Sequence, residues 1–226
     1  MAAEIAHIFL TGAGELPARA REEERADTFA ALVSLARAGD ALAFERLMLL
    51  TERRVVTVAW RLLGNREDAR DAAQEVFLRV YKYLARFREG EDFHGWLYRI
   101  TVNVCRDFAR KRRAGGEQLD DAVTDRDEMT TSENLRSDGR SASAPLDAEN
   151  AALRTQQLAL IRRALATLPE KERAAVVLRD LEGLSTEEVA RSLGSRPVTV
   201  RSQVSSARAK IKTYCDRLLR EGGSAR

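Results

Sequence analysis

Eight side chains between Arg196 and Arg208 carry groups that read nucleic-acid bases: Arg196, Thr199, Arg201, Ser202, Gln203, Ser205, Ser206 and Arg208. An arginine grips guanine through two hydrogen bonds, a glutamine grips adenine, and a serine or threonine takes a base or a phosphate. Among them Val200, Val204, Ala207 and Ile211 recur at steps of four, three and four. That spacing is one narrow apolar stripe on a helix, which anchors the helix and leaves its polar face outward.

The preceding residues position this helix. Pro197 suits a first helical turn, and Gly194 permits the positive φ of a tight turn. The run "STEE", Ser185 to Glu188, is a capping box that opens a short helix before that glycine. Ala190 is small where two helices would cross, and Val189, Leu193, Val200 and Val204 can pack them together. Ser185 to Lys212 therefore has the spacing of a DNA-binding helix-turn-helix, whose second helix enters the major groove. The alternative is a helical hairpin without a ligand.

Two further groupings precede it. "FREGEDFHGWLYRITVNVCRDFARKRR" interleaves aromatic and basic residues, as proteins that bind single strands do. Trp96 shares a face with Ile100 and Val104 and is expected in the core. On a helical wheel Asp68, Asp71 and Glu75 fall within about 60° of one another, beside the apolar arc of Ala69, Ala72 and Val76. Such an acidic ridge is either a docking surface for a basic partner or a solvated face.

Charge is distributed in blocks, although the net over 226 residues is only +3. Residues 114–150 hold ten acids against three arginines, 99–113 six bases against one acid, and 195–226 eight bases against two acids. Basic blocks favour polyanions through counterion release. Two histidines and two cysteines, scattered singly, form no nucleophile–base pair or metal cluster, so neither an enzyme nor a metal site is expected, and no cofactor. No run of about 18 apolar residues is present. The opening "MAAEIAHIFLTGAGEL" lacks a basic residue before its apolar patch. A cytoplasmic protein without a signal peptide or membrane insertion is the expectation.

Helical periodicity fills two stretches and no strand-like alternation is present, so the fold class expected is all-α. Helices are expected from about Thr28 to Gly39, from Asp40 to Gly64, from Arg66 to Arg86 and from Phe93 to Arg113. The second stretch resumes near Asp147. Between them lies a polar, acidic segment that cannot bury enough apolar surface to offset its ordering entropy. The division expected is an N-terminal extension at 1–25, a helical domain at 26–113, a flexible acidic linker at 114–146, a second small helical domain at 147–216 and a tail at 217–226.

Three runs occurring in order strongly resemble bacterial sigma factors of the extracytoplasmic-function group: "LLGNREDARDAAQEVFLRVYKYLARF" from Leu62, "FHGWLYRITVNVCRDFARKRR" from Phe93 and "LPEKERAAVVLRDLEGLSTEEVARSLGSRPVTVRSQVSSARAKI" from Leu168. The resemblance implies a region 2 bundle and a region 4 helix-turn-helix. It implies that core polymerase is bound at its beta-prime clamp by Asp68, Asp71, Gln74 and Glu75, and at its beta flap. The −10 element would be bound by Phe87, Arg88, Asp92, Phe93, His94, Asn103, Arg106 and Arg110, with a flipped base held in the loop. The −35 element would be read by Arg196, Thr199, Arg201, Ser202, Gln203, Ser205 and Arg208. An anti-sigma partner is implied, and a path for the acidic linker through basic channels of the polymerase. Val198 stands where the family often has a small residue, so base specificity does not transfer. A stand-alone helix-turn-helix regulator of duplex DNA would explain Ser185 to Lys212 but neither the acidic ridge nor the aromatic-basic loop.

Overall fold

The computed structural model describes residues 19–88, 90–114 and 146–223. Most of the N-terminal extension and of the acidic linker lie outside the described residues. Four helices form the first domain: α1 (Arg19–Arg37), α2 (Ala41–Leu63), α3 (Arg66–Tyr83) and α4 (Phe93–Ala114), with a single 3-10 turn at Leu84–Arg86. Four more form the second: α5 (Leu146–Ala166), α6 (Glu170–Val176), α7 (Thr186–Leu193) and α8 (Pro197–Gly223), with a π-helical turn at Val177–Leu181 between α6 and α7. Among the described residues none is in a strand.

Helix boundaries follow local chemistry. Asp40 starts α2 by accepting from the amides of Leu42 and Ala43. Gly64 stops it at φ 75°, a conformation that costs a glycine little. Asn65 then caps α3 by accepting from the amides of Glu67 and Asp68, so two residues turn one helix into the next. Two ends differ from the sequence expectation. Helix α1 begins at Arg19 rather than about Thr28, and α8 continues to Gly223 through what was expected to be tail. Both extensions are rich in arginine, glutamate, alanine or leucine, which propagate a helix without needing an apolar period.

The first core joins Leu47, Val55 and Ala59 of α2 to Val76 and Val80 of α3 and Leu97 and Val104 of α4. The second joins Leu165, Leu168, Val176, Leu178, Val189, Val200 and Val204. That second core also takes in Val58 of α2 and Tyr98 and Val102 of α4, so the two domains close on each other.

Polar contacts tie the same seam. Arg173, on α6, donates across it to the carbonyl of Leu62, near the C-terminal end of α2, and within its own domain to those of Ala166 and Leu168, satisfying acceptors that a helix end leaves over. Ser192 Oγ donates to the Gly95 carbonyl at 3.1 Å, and Arg99 to the Arg191 carbonyl at 2.7 Å. Burial pulls the Arg173 guanidinium below its ordinary pKa, with Glu170 opposing.

Candidate nucleic-acid interface

In the second domain the helix-turn-helix forms as expected. Ser185 and Glu188 cap each other reciprocally, and Gly194 takes φ 61° between α7 and α8. The Ser185 hydroxyl and amide hold the Glu188 carboxyl below its ordinary pKa. Val200, Val204, Ala207 and Ile211 are all buried. Arg196, Thr199, Arg201, Ser202 and Ser205 are exposed on the opposite face.

Three members of the expected reading face are placed differently. Ser206 is half-buried and donates to the Glu172 carboxylate at 3.1 Å. Gln203 is half-buried, with its Oε1 buried and without a hydrogen-bond partner, because it lies at the edge of the stripe rather than opposite it. Arg208 is exposed but gives two hydrogen bonds, of 2.9 and 2.6 Å, to the Asp180 carboxylate. This bidentate pair raises the pKa of Arg208 and braces α8 on the π-helical turn.

In the first domain the aromatic expectation needs correction. Phe87 and Phe93 are buried at 7% and 6% exposure, packed edge to face and both against Trp96. These rings are core and do not present a stacking surface. The sequence pattern misled because a loop between two amphipathic helices needs apolar anchors of its own. Trp96 joins the core as expected. Asp92 caps α4, accepting from the amides of His94 and Gly95 at 3.0 and 2.8 Å.

His94 is half-buried and stacks on Phe29, with ring centroids 4.8 Å apart. Burial and then the nearby Arg54 charge lower its pKa, with Asp92 opposing. Arg88, Asn103 and Arg110 are exposed. Arg110 pairs with Asp107, and Arg106 is half-buried against Glu170 of the other domain at 3.4 Å.

The acidic ridge divides as well. Asp68 is half-buried and paired with Arg112 at 2.6 Å, and Glu75 is paired with Arg79 at 2.7 Å. Arg79 in turn holds Asp107, so these two acids brace α3 on α4. Asp71 and Gln74 are exposed. Along the same face, at steps of four and three, lie Leu78 and Tyr81, 66% and 70% exposed. The outward stripe of α3 is therefore acidic at one end and apolar at the other. The apolar half was missed, although exposed leucine and tyrosine at helical spacing signal a covered surface.

Comparison with known proteins decides what these surfaces belong to. Sigma-70 region 2 matches residues 47–115, and Sigma-70, region 4 matches residues 158–211. The RNA polymerase sigma-H factor of Pseudomonas aeruginosa is 34% identical over 191 residues, covering 84% of this chain and 95% of that protein. The extracytoplasmic-function sigma-E factor of Escherichia coli K12 is 33% identical over 193 residues, with the same coverage of 84% and 95%.

The chain belongs to the extracytoplasmic-function group of the sigma-70 family. As a sigma factor it directs RNA polymerase core enzyme to promoter DNA for transcription initiation. The fold agrees. The structure of CnrH in complex with the cytosolic domain of CnrY superposes with a TM-score of 0.60, at 23% identity, over 83% of this chain and 97% of that one. The sigma factor RpoE bound to the anti-sigma factor NepR from Bartonella quintana gives 0.51, also at 23%, over 75% and 94%.

A further feature of this sigma factor was missed in the sequence. Arg46, Arg53, Arg54 and Arg61 of α2 line a groove of about 1830 Å3 that reaches from Phe29 and His94 to Glu182 of region 4. Arg46, the adjacent pair Arg53 and Arg54, and Arg61, with seven residues from each to the next, read as ordinary surface charge on an otherwise apolar-patterned helix. Only the fold aligns them with the loop. Among the described residues no cluster of histidine, cysteine and acidic side chains is arranged to hold a metal ion, and no helix is long and apolar enough to cross a membrane. Burial pushes the Cys105 thiol up to about 12.

Proposed function

We propose that the domain at 26–113 engages the −10 element and the polymerase beta-prime clamp, that the domain at 147–216 engages the −35 element and the beta flap, and that the two part to do so. The exposed reading face of α8 carries this assignment. Arg196, Thr199, Arg201, Ser202 and Ser205 stand outward on a helix whose other side is buried. Gln203 and Arg208 support that face rather than read bases. Asp71 and Gln74, with Leu78 and Tyr81, supply the clamp-docking stripe, and Asp68 and Glu75 hold it in place.

For the −10 strand, Arg88, Asn103 and Arg110 are exposed donors on the loop and α4. Phe87, Phe93 and Asp92 shape the loop, and His94 stacks on Phe29 at its edge. Parting follows from lengths. Elements named −10 and −35 lie about 25 base pairs apart, roughly 85 Å of duplex at 3.4 Å per pair. A compact chain of this size is about 45 Å across. The protein works as a binding factor in the cytoplasm without chemistry of its own, and an anti-sigma factor is an expected partner, as the complex of RpoE with the anti-sigma factor NepR suggests.

The test is run-off transcription with purified core polymerase on genomic fragments, with start sites mapped. Defined starts that depend on this chain, and are lost together on substituting Arg196 and Thr199 by alanine, support the assignment. Binding to duplex sites without core polymerase, and no defined starts, would favour a stand-alone regulator.

A further inference from the structure

Glu182 follows directly on the π-helical turn of region 4, and its side chain is 7% exposed. Its Oε1 accepts from Arg61 at 2.6 Å. Its Oε2 accepts from the Tyr98 hydroxyl at 2.7 Å and lies 3.9 Å from Arg54 Nε. All three partners belong to region 2, and the acid alone comes from region 4. Two guanidinium groups and a hydroxyl from α2 and α4 thus converge on one oxyanion, the geometry that also suits a phosphodiester.

The surroundings extend that site. One helical face of α2 carries Arg46, Arg53 or Arg54, and Arg61 about 10 Å apart, since seven residues rise about 10 Å and return almost to the same direction. Arg46 and Arg53 are exposed and line the same groove. Arg54, Arg61 and Glu182 line the same groove as Gly90 and His94, so the oxyanion point is continuous with the loop at 90–94. Two acids, Glu91 and Asp92, line the groove beside the arginines, and Asp92 is engaged as the cap of α4.

We infer that Arg54, Arg61 and Tyr98 form a backbone-phosphate site for single-stranded DNA entering the −10 loop, and that Glu182 occupies this site while the domains are closed. The inference rests on region 2 being the −10 binder. Glu182 then acts as a phosphate stand-in: the contact that holds region 4 onto region 2 is the contact the DNA needs. Separation of the domains and exposure of the phosphate site are one event, and the strand competes with the carboxylate for the same donors.

The test measures anisotropy of a fluorescein-labelled dodecamer of deoxythymidylate, which carries phosphates without a promoter sequence, against the full chain. Replacing the acid, Glu182→Ala, is expected to raise affinity at least about fivefold, the lower end of ordinary coupling between sites. Adding Arg61→Ala to that variant is expected to abolish most of the gain and to lower the slope of log affinity against log salt by about 0.7, the value for one phosphate on a single strand. Circular dichroism and duplex binding through α8 check that both variants fold.

No gain on Glu182→Ala overturns the inference. So does a gain that survives Arg61→Ala and Arg54→Ala undiminished, since the newly exposed surface would then be elsewhere. Failure of the −10 reading is seen separately. Arg88→Ala with Asn103→Ala would leave run-off transcription intact while the Glu182 and Arg61 variants still behaved as described.

Discussion

The two helices expected to read the promoter, α4 and α8, differ in how they are held. Helix α8 buries one narrow stripe in its own domain and leaves Arg196, Thr199, Ser202 and Ser205 exposed. Helix α4 is buried on two sides: Leu97 and Val104 enter the core of region 2, while Tyr98 and Val102 enter that of region 4. Four of its six arginine and lysine side chains are ion-paired: Arg106 and Arg113 with Glu170 across the domain seam, Arg110 with Asp107 and Arg112 with Asp68 within region 2. On the proposed function, one reader is ready in the closed chain and the other becomes ready when the domains part, so that the closed protein would survey duplex DNA weakly with its proposed strand-binding surface covered.

The largest effect is expected where the polymerase would do the parting. Asp71→Lys combined with Leu78→Asp places a wrong charge and a charged group on the outward stripe of α3. At a hot-spot magnitude of about 2 kcal/mol or more, core association by pull-down should fall at least thirtyfold, with helicity unchanged. Glu75→Lys alone should weaken association less and lower the melting temperature, because Glu75 is paired with Arg79. Equal loss from both variants would mean that the stripe is drawn wrongly.

Next in size is the contrast within α8. Arg196→Ala or Thr199→Ala should each weaken binding to the mapped promoter by about 1–3 kcal/mol and relax preference at one position. Gln203→Ala should leave preference unchanged, since its amide oxygen is buried. A specific loss on Gln203→Ala would return that residue to the reading face.

Gly95 probes the seam from the α4 side. A Cβ there would stand 2.7 Å from Asp92 Oδ2 and 3.8 Å from Ser192 Oγ. The approach to Ser192 is ordinary contact, but Gly95→Ala should disturb the helix cap and, by shifting the first turn of α4, the Gly95 carbonyl that accepts from Ser192, lowering stability by roughly 1 kcal/mol in chemical denaturation, a typical capping loss. Single-strand binding should rise at the same time. A loss of stability without that rise would confine Gly95 to the cap.

The smallest effect is that of pH on His94. Burial lowers its folded pKa, so the folded state favours the neutral ring. Its contribution to stability is complete above the unfolded value of about 6.5 and is lost as pH falls through the lower folded value. His94→Gln should flatten the stability profile between neutral pH and about 5. The closed form responds at the other end. Burial, then the Glu182 hydrogen bond, raise the Tyr98 pKa, so its contribution is complete below the free value of about 10 and declines above it.

The helix-turn-helix was legible because each signal is local: Ser185 and Glu188 sit three residues apart, Gly194 marks the turn, and Val200 to Ile211 repeat with the helix. The α2–α3 turn at Gly64 and Asn65 was legible for the same reason. The closure of region 4 on region 2 was not. Val58, Tyr98 and Val102 lie on helices whose apolar period accounts for one core, and such a period does not say which of two cores receives a residue. Glu182 looked like one acid in "RDLEGLS", and its partners lie more than eighty residues earlier in the chain. Phe87 and Phe93 failed for the opposite reason. Aromatic residues near arginines suit a strand-binding loop and a buried loop anchor equally well, and only packing separates the two.

Closure in the free chain and separation on the promoter are tested most directly by distance. With Cys105→Ala and Cys215→Ser removing the two native thiols, dyes can be placed by Glu45→Cys on α2 and Lys212→Cys on α8, both exposed positions. Energy transfer should be efficient in the free chain, since a compact fold of this length is about 45 Å across. It should fall sharply in the complex with core polymerase and promoter, where the two elements lie roughly 85 Å apart. The same transfer efficiency in both states would contradict the account.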